Sequence, residues 1–274
     1  TADHSVKDQD CINYLSDEDS LSLRSTSDSS NLRPHTKRHI ESFFAGGEGV
    51  VISNSGQAVL SCSAGFSAID FVTLKQYLIT SARCLLNRRD PIIIYHAPWN
   101  PPFAQQPAFN QFGIVTHRQS HGVDFTLIEK HNIIYKLNPI IRSQFEEYPS
   151  LFIGGFDFVG STPVGHHICL SGYGSRVSCG GVTNINTLVI LRSDRIDRFL
   201  SMTRANIRAR DSDIGGTVFS FADENGHITV HGIVTDVEAN IVAVQPIGGI
   251  VNYDATREYT QNLVYIDLET YALL

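Results

Sequence analysis

From Phe43 onward the chain is built of short apolar runs that follow at close intervals, each broken by Gly, Asn, Asp or Pro. GVVIS, AVLSCSAGFSA, YLITSA, PIIIYH, FGIVTH, DFTLIEK, SLFIGGF, HHICLSG, TLVILRS, GTVFSFA, HITVHGIVT and IVAVQPI are rich in Val, Ile, Phe, Tyr and Thr. β-branched and aromatic residues in runs of strand length, with turn residues between them, predict an all-β sandwich or barrel. Asn225-Gly226 separates two such runs and predicts a tight hairpin, because both residues tolerate positive φ. Two stretches carry a helical pattern instead. RIDRFLSMTR (195–204) is weakly amphipathic, and YTQNLVYIDLETYALL (259–274) predicts a C-terminal helix.

Residues 1–42 have a different texture. SDEDSLSLRSTSDSS (16–30) is rich in Ser and Asp and poor in large apolar groups. Such a segment buries too little to offset its chain entropy, so residues 1–42 are expected to form a disordered leader or pro-segment. Lys37-Arg38 near its end reads equally as a dibasic processing site and as a solvated basic pair.

Length and charge narrow the class. A chain of 274 residues can hold one large domain or two modest ones around a well-buried core. Its longest apolar runs are far too short to span a bilayer. A net charge of −7, with no Lys/Arg block longer than two, argues against a nucleic-acid partner, which requires clustered basic groups. Of the five cysteines, Cys62 and Cys84 flank one strand-like segment, Cys169 and Cys179 flank a short Gly-rich one, and Cys11 stands alone. That placement suggests an oxidising compartment with one leftover thiol; five reduced core cysteines are the alternative.

Three segments carry candidate chemistry in order: LITSARC (78–84), GVDFTLIE (122–129) and DSDIGGTVF (211–219). They resemble the Thr-Ala-Gly/Ala-His-Cys motif, the buried Asp and the Gly-Asp-Ser-Gly-Gly-Pro loop of trypsin-like, chymotrypsin-fold serine proteases. CSAGFSA (62–68), ICLSGYGSRVSCGGV (168–182) and VHGIVTDVEANIVAVQPIGGIVN (230–252) resemble the opening strand, short disulfide loop and closing strands of the bacterial streptogrisin and α-lytic protease branch. The resemblance covers roughly residues 44–253. It implies two antiparallel six-stranded β-barrels, over 43–150 and 151–253, with an extension over 254–274. It also implies Cys62–Cys84 and Cys169–Cys179 bonds, each worth ~3 kcal/mol, and a secreted, extracellular location.

The departures fall on the chemistry. The position of the catalytic histidine holds Arg83, that of the acid Asp124, and that of the nucleophile Ile214. Ser212 stands where the family has an oxyanion-hole glycine. Asp213 keeps the structural acid, while the basic residue that balances it is replaced by Leu170. A guanidinium stays protonated and cannot accept a proton from a hydroxyl. With the histidine gone, a salt bridge from Arg83 is expected to compensate the buried Asp124. The resulting expectation is a catalytically inactive homologue that binds a protein or extended peptide. Its cleft is expected to form around Arg83, Asp124, Ser212 and Ile214, with the edge strand of Ile233, Val234, Thr235 and Asp236 available to pair with an extended peptide. The alternative is an active serine hydrolase with a rearranged site using Ser212.

Other candidates add little. His117/His121 and His227/His231 have a zinc-like spacing, but they lie in strand-and-turn text, where positions four apart are ~13 Å apart, and no further ligand completes a set. No metal or other cofactor is implied. The Pro-rich 97–109 stretch, with the only Trp, reads as an ordered surface loop and a second candidate recognition element.

Overall fold

A computed structural model describes residues 42–54, 57–85, 91–99, 110–160, 162–193, 196–254, 263–267 and 269. The first half of the chain forms β1 (Ser42–Phe43), β2 (Gly49–Asn54), β3 (Gln57–Ser63), β4 (Ser67–Asp70), β5 (Gln76–Thr80), β6 (Ile93–Ala97), β7 (Asn110–Gln119), β8 (Phe125–Lys130), β9 (Tyr135–Lys136) and β10 (Ile140–Arg142). The second half forms β11 (Ser150–Phe156), β12 (His167–Gly172), β13 (Arg176–Ser193), β14 (Ile196–Asn206), β15 (Thr217–Phe221), β16 (His227–Glu238), β17 (Ile241–Pro246), α1 (Ile247–Asp254) and β18 (Leu263–Tyr265). Short 3₁₀ turns occupy Ala82–Leu85 and Asp211–Asp213.

The expected all-β, two-barrel architecture is present. In the second barrel β16, β15, β12, β13, β14 and β17 pair in a ring, and β17 returns to β16 to close it. The first sheet runs β18-β4-β5-β8-β7-β6-β2-β3, with no pairing between its outer strands among the described residues. Strand β10 pairs with β11, so the chain has joined the second sheet by Ile140–Arg142. The pairs β1–β9 and β11–β16 are parallel, unlike the antiparallel remainder.

Three expectations are corrected. Residues 196–204 are not helical; they form most of β14, which pairs with β13 from Ile196 opposite Ser193 to Asn206 opposite Gly181. The closing strands stop at Pro246, and Ile247–Asp254 is a helix rather than strand. Ile247 and Ile250 are fully buried, and Gly248 lets the helix approach the Phe158 carbonyl so closely that a Cβ would fall 2.2 Å from its oxygen. Within 259–274, residues 263–265 form β18 along β4 instead of a helix. The predicted leader, Cys11 and Lys37-Arg38 lie outside the described residues.

Alternation accounts for the layering. Along His227–Gly232 every second residue is buried, so Ile228 and Val230 face the core while His227, Thr229 and His231 face outward. Two apolar clusters result, and each draws on both sheets. One joins Val50, Leu78 and Phe112 to Leu170, Val218 and Val244. The other joins Phe66, Ile79 and Phe125 to Ile153, Phe219 and Ile233. The sheets therefore share their interior, and the residues singled out in sequence lie at this seam.

Candidate functional site

The turn after β5 brings the first two candidate residues together. Asp124, 1% exposed, accepts a hydrogen bond from the Ser81 hydroxyl. Ser81 Oγ in turn accepts from the Arg83 amide at 3.0 Å. The Asp124 amide donates to Oε1 of Gln245 on β17 at 3.0 Å. Burial pushes the Asp124 carboxyl up to about 6, against the opposing pull of the Ser81 and Thr235 hydroxyls and the Arg83 and Ala82 amides.

The expected Arg83–Asp124 salt bridge is not formed. The Arg83 guanidinium pairs with Asp236 on β16, and its side chain stays one-third exposed. The physical reason is economy of desolvation. Asp124 is already served by neutral donors from its own turn, whereas drawing Arg83 inward would strip water from a second charge.

The Asp213–Gly216 turn is closed on itself. Asp213 is fully buried and its carboxylate accepts the amides of Gly174, Ser175 and Arg210 at 2.7, 2.9 and 2.8 Å. Three backbone donors satisfy it where Leu170 supplies no cation. The Asp213, Ile214, Gly215 and Gly216 amides donate to the carbonyls of Arg210, Asp211, Val234 and Asp213. An oxyanion site needs convergent N–H groups that are free to receive a developing charge; these four are spent on backbone.

Ile214 is 7% exposed and belongs to the first apolar cluster. Its carbonyl accepts the Ser63 amide at 2.8 Å and lies 3.6 Å from Cys84 Sγ. Ser212 is half-buried, and its carbonyl accepts from Ser63 Oγ, which also accepts the Tyr173 amide. Ser63, which no motif singles out, thus ties β3 to two loops of the second barrel. Gly215, at φ +90°, has Thr80 Oγ1 2.0 Å from where a Cβ would be.

The expected edge at Ile233–Asp236 begins later than the sequence suggested. Ile233 pairs with Thr217, and Val234 donates to the Gly216 carbonyl while accepting from Gly215, so both are interior positions. Thr235 is buried at a register shift against β17. Among the described residues, the side of β16 away from β17 carries no strand partner after Val234. Beside this stretch lies a pocket of about 230 Å³ lined by Leu188, Arg204, Asp236, Glu238 and Ile241, among others.

Cys62–Cys84 and Cys169–Cys179 are both bonded. Among the described residues, no group of three potential metal ligands gathers; His227 pairs with Asp223, and His231 with Asp157. Trp99 is not a surface contact. It is 8% exposed, donates to the Gly47 carbonyl, and lies under the Arg176 guanidinium at 4.7 Å. Residues 100–109 of the candidate loop lie outside the described residues. A buried Glu48 was not anticipated. Burial pushes its carboxyl up, but the hydrogen bond and charge of His96 and the charge of Arg142 outweigh this and hold it below the usual range.

No family model and no curated protein matches the chain. The fold does match solved structures. Protease A of Thermobifida fusca is 16% identical, with a TM-score of 0.60, over 82% of this chain and 100% of that one. A chymotrypsin from Cellulomonas bogoriensis is 18% identical, with a TM-score of 0.58, over 82% and 99%. A Nocardiopsis protease is 16% identical, with a TM-score of 0.59, over 82% and 99%. These likenesses are of fold: the chain has the two-barrel architecture of bacterial chymotrypsin-type serine proteases. No helix among the described residues is long and apolar enough to cross a membrane.

Proposed function

We propose that this chain uses a serine-protease scaffold, non-catalytic at the seam between its barrels, to bind an extended protein or peptide segment outside the cell. The observation that carries the reading is the Asp213–Gly216 turn. Ile214 stands directly before the Gly-Gly pair, its side chain is in the core, and its amide is spent on the Asp211 carbonyl. Arg83, held by Asp236, offers no proton acceptor where a base would be needed. The two disulfides support an oxidising, extracellular setting.

For binding, the open side of β16 beyond Val234 supports strand addition, in which main-chain hydrogen bonds give affinity and flanking pockets give selectivity.

The test has two arms. A broad fluorogenic peptide library is expected to go uncleaved, and fluorophosphonate is expected to leave no adduct on Ser212. Cleavage that Ser212→Ala abolishes would make the chain an enzyme with a rebuilt site. Binding of extended peptides from the same library, followed by fluorescence polarisation, is expected to be lost in Val237→Pro, which replaces the amide that donates to Asp236 Oδ1 at 2.8 Å with a ring that no added strand can pair with. Unchanged binding in that variant would sink the strand-addition reading.

A further inference from the structure

On the outer face of the second barrel, three side chains from separate segments line up away from the seam. Ser220 Oγ on β15 lies 2.9 Å from Nε2 of His231 on β16. His231 Nδ1 lies 3.1 Å from Oδ2 of Asp157, which follows β11. The Thr162 hydroxyl lies 3.0 Å from the same Oδ2 and 2.9 Å from Nδ1. An ionised carboxylate only accepts, so Thr162 donates to Asp157 and Nδ1 carries the ring proton. Nε2 is then the lone pair, and Ser220 donates to it. Burial holds the imidazole below its ordinary value; Asp157 opposes that and His166 reinforces it. The base form is therefore the one present near neutral pH.

Local structure aims this histidine. Val230 pairs with Phe219 and Gly232 with Val218, which leaves His231 as the extra residue of a β-bulge. Bulges re-aim side chains and are over-represented beside active sites. The approach to Ser220 is also open. Ser220 faces Thr229 across one strand pair, and Thr229 faces Gly155 across the next. A Cβ built on Gly155 would meet nothing within 4 Å. The row is a shelf of small residues leading to a half-buried hydroxyl.

We propose that Ser220 is an acyl-accepting nucleophile, with His231 as its general base and Asp157 as the positioning residue, acting on small carboxylic esters that lie along the Ser220–Thr229–Gly155 shelf. Ser220 Oγ forms a bond to the acyl carbon while its proton passes to His231 Nε2. The ester C–O bond breaks, and the alcohol leaves with that proton. Water, giving a proton to the same Nε2, then adds to the acyl carbon. The bond to Ser220 breaks, the serine oxygen recovers the proton, and the carboxylic acid departs. Asp157 fixes the tautomer and stabilises the imidazolium formed in each half. Thr229 brings a hydroxyl donor to the same row. This assignment does not depend on the reading of the seam between the barrels.

The test uses the full chain with p-nitrophenyl acetate as substrate and a fluorophosphonate probe whose adduct is mapped by peptide mass spectrometry. The adduct is expected on Ser220, and Ser220→Ala is expected to slow ester hydrolysis about a hundredfold without a change in melting temperature. The wild-type rate should climb with pH as His231 loses its proton, with its midpoint below the ordinary histidine value of ~6.5. Asp157→Asn should lower kcat and disturb that profile while leaving the fold intact by circular dichroism. Hydrolysis at the wild-type rate by Ser220→Ala, or an adduct absent from Ser220, would overturn the proposal. An adduct on Ser212 bears instead on the reading of the seam, so the two failures are distinguishable.

Discussion

Asp124 makes the clearest prediction at the scale of a single residue. Its carboxyl titrates near 6 in the folded chain, against an ordinary value of 3.8. Between those two pH values the folded state keeps a proton that the unfolded state has released. Stability from this group therefore falls as pH rises through the window, and the penalty is constant above it. Asp124→Asn has no such penalty. Its stability relative to wild type should rise by up to about 3 kcal/mol between pH 4 and pH 7.5, read by denaturant unfolding at each pH. His231 has the opposite pH dependence. Its lowered pKa gives stability that is present above about pH 6.5 and is lost as pH falls below it. Motif order was enough to bring Arg83, Asp124, Ser212 and Ile214 into one neighbourhood. The partner of Arg83 was not legible, because the choice between Asp124 and Asp236 turns on Ser81 and a short turn whose donors no spacing reveals. Ser220, His231 and Asp157 were equally hidden, since they meet only through a bulge and the pairing of separate strands.

Among the elements, strand content was plain from the text and strand partnership was not. Val, Ile and Phe runs mark nearly every observed strand, and Gly226, at φ +80°, turns β15 into β16 as expected. Asp223 supports that turn by accepting the Asn225 and His227 amides at 2.9 and 3.2 Å. Gly226→Ala should cost ~1–2 kcal/mol in a thermal or denaturant melt, because a Cβ is disfavoured at that φ. The 195–204 stretch misled because its apolar spacing fits a helix weakly, whereas pairing with β13 from Ile196 onward decides the matter. Tertiary context overrides a weak local preference. The Cys169–Cys179 bond joins residues directly opposite each other on β12 and β13. Converting both to Ala should lower stability by about 3 kcal/mol and leave the barrel's far-ultraviolet spectrum unchanged.

Across the whole molecule, the C-terminal strand is what the sequence least foretold. Leu263–Tyr265 pairs with β4, and the Tyr265 ring sits 5.6 Å from Phe66, just before β4, and 5.7 and 6.1 Å from Phe156 and Phe158 at the end of β11. Tyr265→Ala should cost about 3–4 kcal/mol in a denaturant melt, since it empties an aromatic cluster that both sheets share. The same strand sets an order of events during synthesis. β4 leaves the ribosome long before β18 exists, so until then the outer side of Ser67–Asp70 is an unpaired edge, open to pairing with a neighbouring nascent chain. Native completion of the first sheet waits on translation of Leu263–Tyr265. A stalled or shortened product would therefore be prone to self-association through that edge, however well its second barrel had closed.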